Sequence, residues 1–236
     1  MGKENLFYKR RESRKKREHN IKTARATKWL ILCEGQETEI NYLNGLINEL
    51  NETKGGNFRP KIIGVGKNPN GLVDFVKNCF EICDKELGKV SVPYGKVVLI
   101  FDKDDFTLND FNTAALQAKR NSEIDIVAWS NESFELWLVL HFEYQTSGLG
   151  RTQYCDKLTE IYRRERLCGK REHYLKKDKD VYLKVTSKGS GTLKKAIRNA
   201  EKLLRDKDLN NPAQINPGTT MHLLVQEIIQ ECDCKN

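Results

Sequence analysis

At 236 residues the chain can bury a sizeable core, either as one large α/β domain or as a core domain with a smaller addition. Its 41 Lys+Arg against 33 Asp+Glu leave a formal charge of +8 and a pI near 9.0, which favours a polyanionic partner and equally fits an ordinary soluble basic protein. No apolar stretch approaches the roughly 20 residues that cross a bilayer, no signal-peptide pattern is visible, and an odd number of cysteines suits reduced thiols, so membrane insertion, secretion and a disulfide framework are argued against and a cytoplasmic location is expected.

The first 27 residues form a basic arm containing Lys9, Arg10, Arg11, Arg14, Lys15, Lys16 and Arg17. Such a block cannot bury itself; it serves either phosphate contact by counterion release or solubility. Trp29-Leu30-Ile31-Leu32-Cys33 is continuously apolar, as a strand buried on both faces of a parallel sheet should be. Ile40, Leu43, Leu46, Ile47 and Leu50 then recur at helical spacing, and Asn51 to Phe58 supplies turn residues. Lys61 to Val65 reads as a second strand, Leu72, Val73, Val76, Phe80 and Leu87 as the face of a second helix, and Lys96 to Phe101 as a third strand. A polar helix over about Asn109 to Ala118 leads into a fourth strand, Ile124 to Trp129, followed by an apolar helix from Ser133 to Phe142. This alternation predicts a parallel sheet with helices on both faces over residues 28–145. From 146 to 236 the pattern changes to a mostly helical extension, with Leu193, Ala196, Ile197, Ala200, Leu203 and Leu204 on one stripe and Leu223, Leu224 and Ile228 in a final helix.

Acids follow two of the predicted strands: Glu34-Gly35 after the first, Asp102-Lys103-Asp104-Asp105 after the third. In open α/β sheets the carboxyl ends of the strands face the ligand crevice, so Glu34, Asp102 and Asp104 can converge on one divalent cation. On an extended segment Asp102 and Asp104 point the same way and Lys103 points elsewhere; Asp105 joins them only through a turn. Glycine after Glu34 allows close backbone approach or a tight turn. Thr38 and Glu39 fall in the first helical turn, where Glu39 either complements the dipole or leans into the cation site. Glu135 lies in a helix too apolar for the surface and must be paired or bound to a cation. Asn131 reads as a helix cap, and His141 as a satisfied core histidine rather than a ligand. Cys79 and Cys83, like Cys232 and Cys234, have no second pair at zinc-finger spacing, so structural zinc is not expected.

The ordered blocks Cys33-Glu34-Gly35-Gln36-Glu37-Thr38-Glu39 with Asn41-Tyr42, Phe101-Asp102-Lys103-Asp104-Asp105, and Ser130-Asn131-Glu132-Ser133-Phe134-Glu135-Leu136-Trp137 running to His141-Phe142 resemble the RloB family. That family's third block usually reads Asn-Pro-x-Phe-Glu-x-Trp; Glu132 stands here in place of the proline. The resemblance implies a Toprim-like fold, the metal-dependent module of topoisomerases, primases and OLD-type nucleases. It also implies nuclease activity in phage defence or restriction, beside a partner AAA-type ATPase. Carried over, the catalytic acids are Glu34, Asp102 and Asp104, with Glu39 and Glu135 added as metal ligands by analogy with two-metal nucleases.

Two functions follow as expectations. One is a Mg²⁺- or Mn²⁺-dependent phosphodiesterase acting on RNA or DNA, with the arm, Lys176 and Lys177 holding the strand and Lys67 either offsetting transition-state charge or simply exposed in its loop. The other is a nucleic-acid-binding regulatory subunit of a partner AAA-type ATPase, without catalysis of its own. No Walker A pattern occurs, so any ATPase is a separate chain. Nucleotidyl transfer on small nucleotides is a weaker third.

Overall fold

Strand β1 (Trp29–Cys33) is buried along its whole length because its two faces meet two different cores. Trp29, Ile31 and Cys33 face one cluster, Leu30 and Leu32 the other. β3 (Lys96–Asp102) divides in the same way, with Val98 and Ile100 against the first cluster and Val97, Leu99 and Phe101 against the second. The computed structural model describes residues 28–76, 94–186 and 188–233. The basic arm, including Lys9, Arg10, Arg11, Arg14, Lys15, Lys16 and Arg17, and the helix positions Phe80 and Leu87 lie outside the described residues.

β2 (Lys61–Gly64), β1, β3 and β4 (Ile126–Asn131) run parallel, and the short β5 (Gly218–Thr219) is antiparallel to the end of β4, giving the order β2-β1-β3-β4-β5. The sheet is therefore mixed rather than all parallel. Its odd strand comes from the C-terminal part of the chain, where the Thr219 hydroxyl meets Ser130 Oγ at 3.1 Å. β4 also runs two residues later than its apolar run predicts. Asp125 is held before the strand, its carboxylate accepting the Val97 N–H at 2.8 Å. Polar Ser130 and Asn131 continue the strand because Asp102, Thr219 and Gly218 pair with them.

Helices cover both faces. The second core is closed by α2 (Leu108–Arg120) and by helical backbone over 69–76, through Phe111, Ala114, Leu72 and Val76. The first core is closed by α1 (Thr38–Lys54), α3 (Glu135–Phe142) and, from the C-terminal part, α4 (Arg151–Arg164), α5 (Val181–Thr186), α6 (Leu193–Leu204) and α7 (Met221–Asp233). α3 is apolar apart from Glu135 and His141, and all eight of its residues are buried, enclosed by α4, α5 and α6. The buried stripe of α6 includes Asn199, whose side chain donates to Leu140 O at 2.8 Å and so satisfies a carbonyl near the end of α3. Among the described residues no helix is long and apolar enough to cross a membrane.

The order β2-β1-β3 means that the chain steps one way from β1 and the other way to reach β3. A crevice opens at the carboxyl ends of two strands related in this way. Both acidic clusters stand at that crevice.

Candidate metal centre

Glu34 follows β1 directly and Asp102 closes β3, and these strands are hydrogen-bonded neighbours with Cys33 opposite Ile100. The Glu34 N–H donates to Ile100 O at 2.8 Å, and the Asp102 N–H donates to Glu34 Oε2 at 3.1 Å. The remote clusters thus meet through the backbone of the sheet itself. Asp102 Oδ2 accepts the Phe134 N–H at 2.8 Å at the entrance to α3, whereas its Oδ1 is buried and accepts no hydrogen bond.

Asp104 reaches the same place by a different route from the one its spacing suggests. The segment does not stay extended: Asp104 has φ +42°, and its N–H donates to Glu132 O at 2.9 Å. The turn brings its carboxylate into the crevice, with Oδ2 paired to Arg151 and Oδ1 buried without a partner. Lys103 points elsewhere, its ammonium donating to Asp104 O at 2.9 Å and lying 3.5 Å from Glu132 Oε1. Asp105 is exposed and does not line the crevice.

The crevice is a cavity of about 270 Å³ whose lining includes Glu34, Glu39, Asp102, Asp104, Glu135, Arg151 and Lys176. Glu39 therefore leans into the site from the first turn of α1, doing so while only 6% exposed. Gly35 makes this possible: a Cβ there would lie 2.6 Å from Glu39 Cδ. Glu135, 1% exposed, is held by Lys176 Nζ at 3.0 Å and by the Tyr174 hydroxyl, which donates at 3.3 Å.

Crowding acids out of water raises their affinity for protons. Burial, reinforced by Glu39 and Asp104, pushes Glu34 up to about 7 against the opposing Asp102 N–H. Burial likewise raises Glu39, with Glu135 adding to it, and raises Asp102 well above the usual range, with Glu39, Glu135 and Glu34 contributing. Asp104 is raised by burial and partly restored by Arg151. Among the described residues no group of three or more His, Cys, Asp or Glu side chains is drawn together as a finished ligand set. Mg²⁺ does not require one, since it keeps several waters and takes one or two carboxylates plus substrate phosphate. Unpartnered, buried Asp102 Oδ1 and Asp104 Oδ1 with an all-oxygen donor set fit a hard divalent cation.

Other candidates fall elsewhere. Lys67 and Lys177 are exposed and outside the cavity lining, while Lys176 is inside it. Asn131 is not a cap: it ends β4 and donates to Pro212 O and Ala213 O at 3.3 and 3.0 Å, tying the strand to the segment before β5. His141 is a satisfied core group, with Nε2 3.0 Å from the Tyr42 hydroxyl and Nδ1 3.0 Å from Trp137 O, and burial lowers it to about 4.

Sequence reasoning missed Arg151. Its one signal is a cation in the first turn of α4 with no acid beside it, against the preference of a helix N-terminus for negative charge. It also missed the outer face of α6, where Lys195, Arg198 and Lys202, with Arg205 just beyond the helix, follow at intervals of three or four and line a second cavity of about 480 Å³ with Tyr144 and Glu201. Lys202 Nζ lies 4.2 Å from the centroid of that tyrosine ring.

A family model described as RloB-like protein matches residues 29–228. No curated protein and no solved structure matches the chain.

Proposed function

The chain belongs to the RloB-like family, and from that premise and the carboxylate cavity we propose a divalent-metal-dependent nuclease that hydrolyses phosphodiesters of RNA or DNA. One observation carries the reading: Glu34 and Asp102 stand side by side at the ends of adjacent parallel strands, with a buried aspartate oxygen left unsatisfied. The proposal takes the sheet as Toprim-like and the protein as a cytoplasmic component of phage defence or restriction, acting beside an AAA-type ATPase.

Mg²⁺ or Mn²⁺, when bound, would lower the pKa of an attacking water and stabilise charge on the departing oxygen. Glu34, Asp102 and Asp104 would hold it, with Glu39 and Glu135 as further oxygen donors. Glu34 accepts the Asp102 N–H at Oε2, which leaves Oε1 open either to hold the cation or to take the proton of the attacking water. The Phe134 N–H fixes the Asp102 carboxylate, so that its free oxygen needs no rearrangement to serve as a ligand.

A nucleic-acid-binding subunit without catalysis is favoured by one fact, that Asp104 and Glu135 already carry Arg151 and Lys176 as ion-pair partners. Labelled tRNA, single-stranded RNA and duplex DNA, incubated with the protein in Mn²⁺, Mg²⁺ or EDTA, separate the two. The nuclease reading requires cleavage of at least one substrate that EDTA abolishes. Tight binding with no cleavage of any of them, at metal concentrations that saturate the protein, selects the subunit reading.

The basic face of α6 supports a polyanionic partner. Changing Lys195, Arg198 and Lys202 together to glutamate is expected to weaken nucleic-acid binding by about tenfold or more. It should also flatten the dependence of log K on log salt by roughly one unit per lost phosphate contact. Filter binding across a salt series checks both, and an unchanged slope removes this face from the binding surface.

A further inference from the structure

Two cations reach into the acid cavity from the C-terminal part of the chain. We propose that Arg151 and Lys176 are built-in counter-cations that hold Asp104 and Glu135 in the metal-free protein, and that metal loading releases them to grip the substrate phosphate. This inference rests on the nuclease reading above and adds two substrate-binding residues to it.

Exposure indicates which partner moves. The side chains of Arg151 and Lys176 are 50% and 40% exposed, whereas those of Asp104 and Glu135 are 20% and 2% exposed. The Tyr174 hydroxyl holds the Glu135 carboxylate and the Asp104 backbone N–H is tied to Glu132 O, while the cations lean in from solvent, so exchange of partners displaces the cations. Long side chains of this kind can swing outward while their stems stay in place.

The main chain beneath Lys176 is anchored. The Thr38 hydroxyl donates to Lys176 O at 2.9 Å, and two residues earlier buried Tyr174 donates its hydroxyl to Glu135 and its N–H to Thr159 Oγ1 at 3.0 Å. The segment is therefore tied both to α1 and to α4, and only the ammonium end is free to change partner. Arg151 sits in the first turn of α4, where the helix dipole disfavours a cation, so its position is explained by the acid it faces and not by its own helix.

These pairs also account for the unfinished ligand set. Arg151 and Lys176 engage Asp104 and Glu135, while Glu34 and Asp102 remain linked at the sheet. A divalent ion bound by Asp104 or Glu135 competes directly with the cation already there. Phosphate, in turn, cannot approach a wall of carboxylates unless positive charge faces it. The Arg151 guanidinium offers a planar fork for two phosphate oxygens, and Lys176 offers a point charge beside it.

Mn²⁺ affinity of the full-length protein, measured by calorimetry without nucleic acid, tests the exchange. Arg151→Gln and Lys176→Gln are each expected to tighten Mn²⁺ binding by about threefold to tenfold, the range set by removing a half-exposed competing ion pair. The same variants should raise KM for nucleic acid by about tenfold, and Arg151→Lys should recover part of that loss. Mn²⁺ binding that is unchanged or weaker in both glutamine variants, with wild type still binding Mn²⁺ and cleaving, overturns the exchange and leaves the nuclease reading standing. If neither wild type nor either variant binds Mn²⁺, both fall together. Binding that appears only in the variants supports the exchange in its strongest form.

Discussion

Asp102→Asn is expected to lower metal-dependent cleavage by more than about 100-fold while leaving the metal-free protein folded and no less stable. Asparagine keeps an oxygen to accept the Phe134 N–H, so the link between β3 and α3 survives. The negative charge does not, and with it goes the carboxylate proposed as a metal ligand in the cavity lining. In the metal-free protein that charge is a burden, since Asp102 is desolvated and lies near Glu39, Glu135 and Glu34, each of which raises its affinity for a proton. Urea denaturation in EDTA and single-turnover cleavage in Mn²⁺ read the two effects separately. Full cleavage by the variant would remove Asp102 from the chemistry.

Glu34→Gln extends the argument to pH. In the folded protein Glu34 holds its proton up to about 7, against 4.5 for the unperturbed carboxyl, so below 4.5 both states are protonated and the group is neutral in its effect. As pH rises from 4.5 through 7 the unfolded chain gives up this proton first, and the native state loses stability. Glutamine abolishes that loss. The variant should therefore gain on wild type between pH 5 and 8 in EDTA, by about 2 kcal/mol for a carboxyl that water still partly screens. Taking the difference between the two proteins cancels the opposing effect of buried His141, which stays neutral in the fold to about 4.

How much of this was legible in the sequence varies with the kind of information needed. β1 and β3 were plain because strands buried on both faces need unbroken apolar runs, and the acids that follow them were legible as residues at strand ends. The dilemma of Glu135, buried and therefore paired, followed from helix composition alone, but not the identity of Lys176 as its partner, about forty residues further on. β5 was invisible: two residues, Gly218 and Thr219, carry no periodicity, and only Ser130 and Asn131 across the gap make them a strand. Asn131 misled for the same reason, because its polarity looks like a helix cap until the Pro212 and Ala213 carbonyls are placed beside it. Asp104 shows the limit of extended-chain reasoning. The conclusion that it joins Asp102 holds, yet a left-handed turn achieves it and alternation does not.

Gly64→Ala is expected to damage both fold and site, by about 1–3 kcal/mol of stability and about 100-fold in cleavage, although Gly64 touches no substrate in any reading. It ends β2 opposite Cys33, and the chain beyond it stays clamped to the acidic loop, Val65 N–H donating to Cys33 O at 2.8 Å and Gly66 N–H to Glu34 O at 3.1 Å. A Cβ at Gly64 would lie 2.7 Å from Gln36 Cα and 2.8 Å from Gly35 O, and backbone cannot rotate aside as a side chain can. Either β2 withdraws from β1 or the 34–36 loop lifts; in both cases Glu34 leaves its place beside Asp102. A shift of about 1 Å there is enough to uncouple ligands that must act together. Gly55→Ala supplies the contrast. It strains a φ of +65° at the end of α1 but meets nothing within 4 Å, so it should cost about 1 kcal/mol with cleavage retained. Equal cleavage by the two variants would mean that the close approach of β2 does not position the acid, whereas loss confined to Gly64→Ala would tie the catalytic geometry to a contact between two backbones.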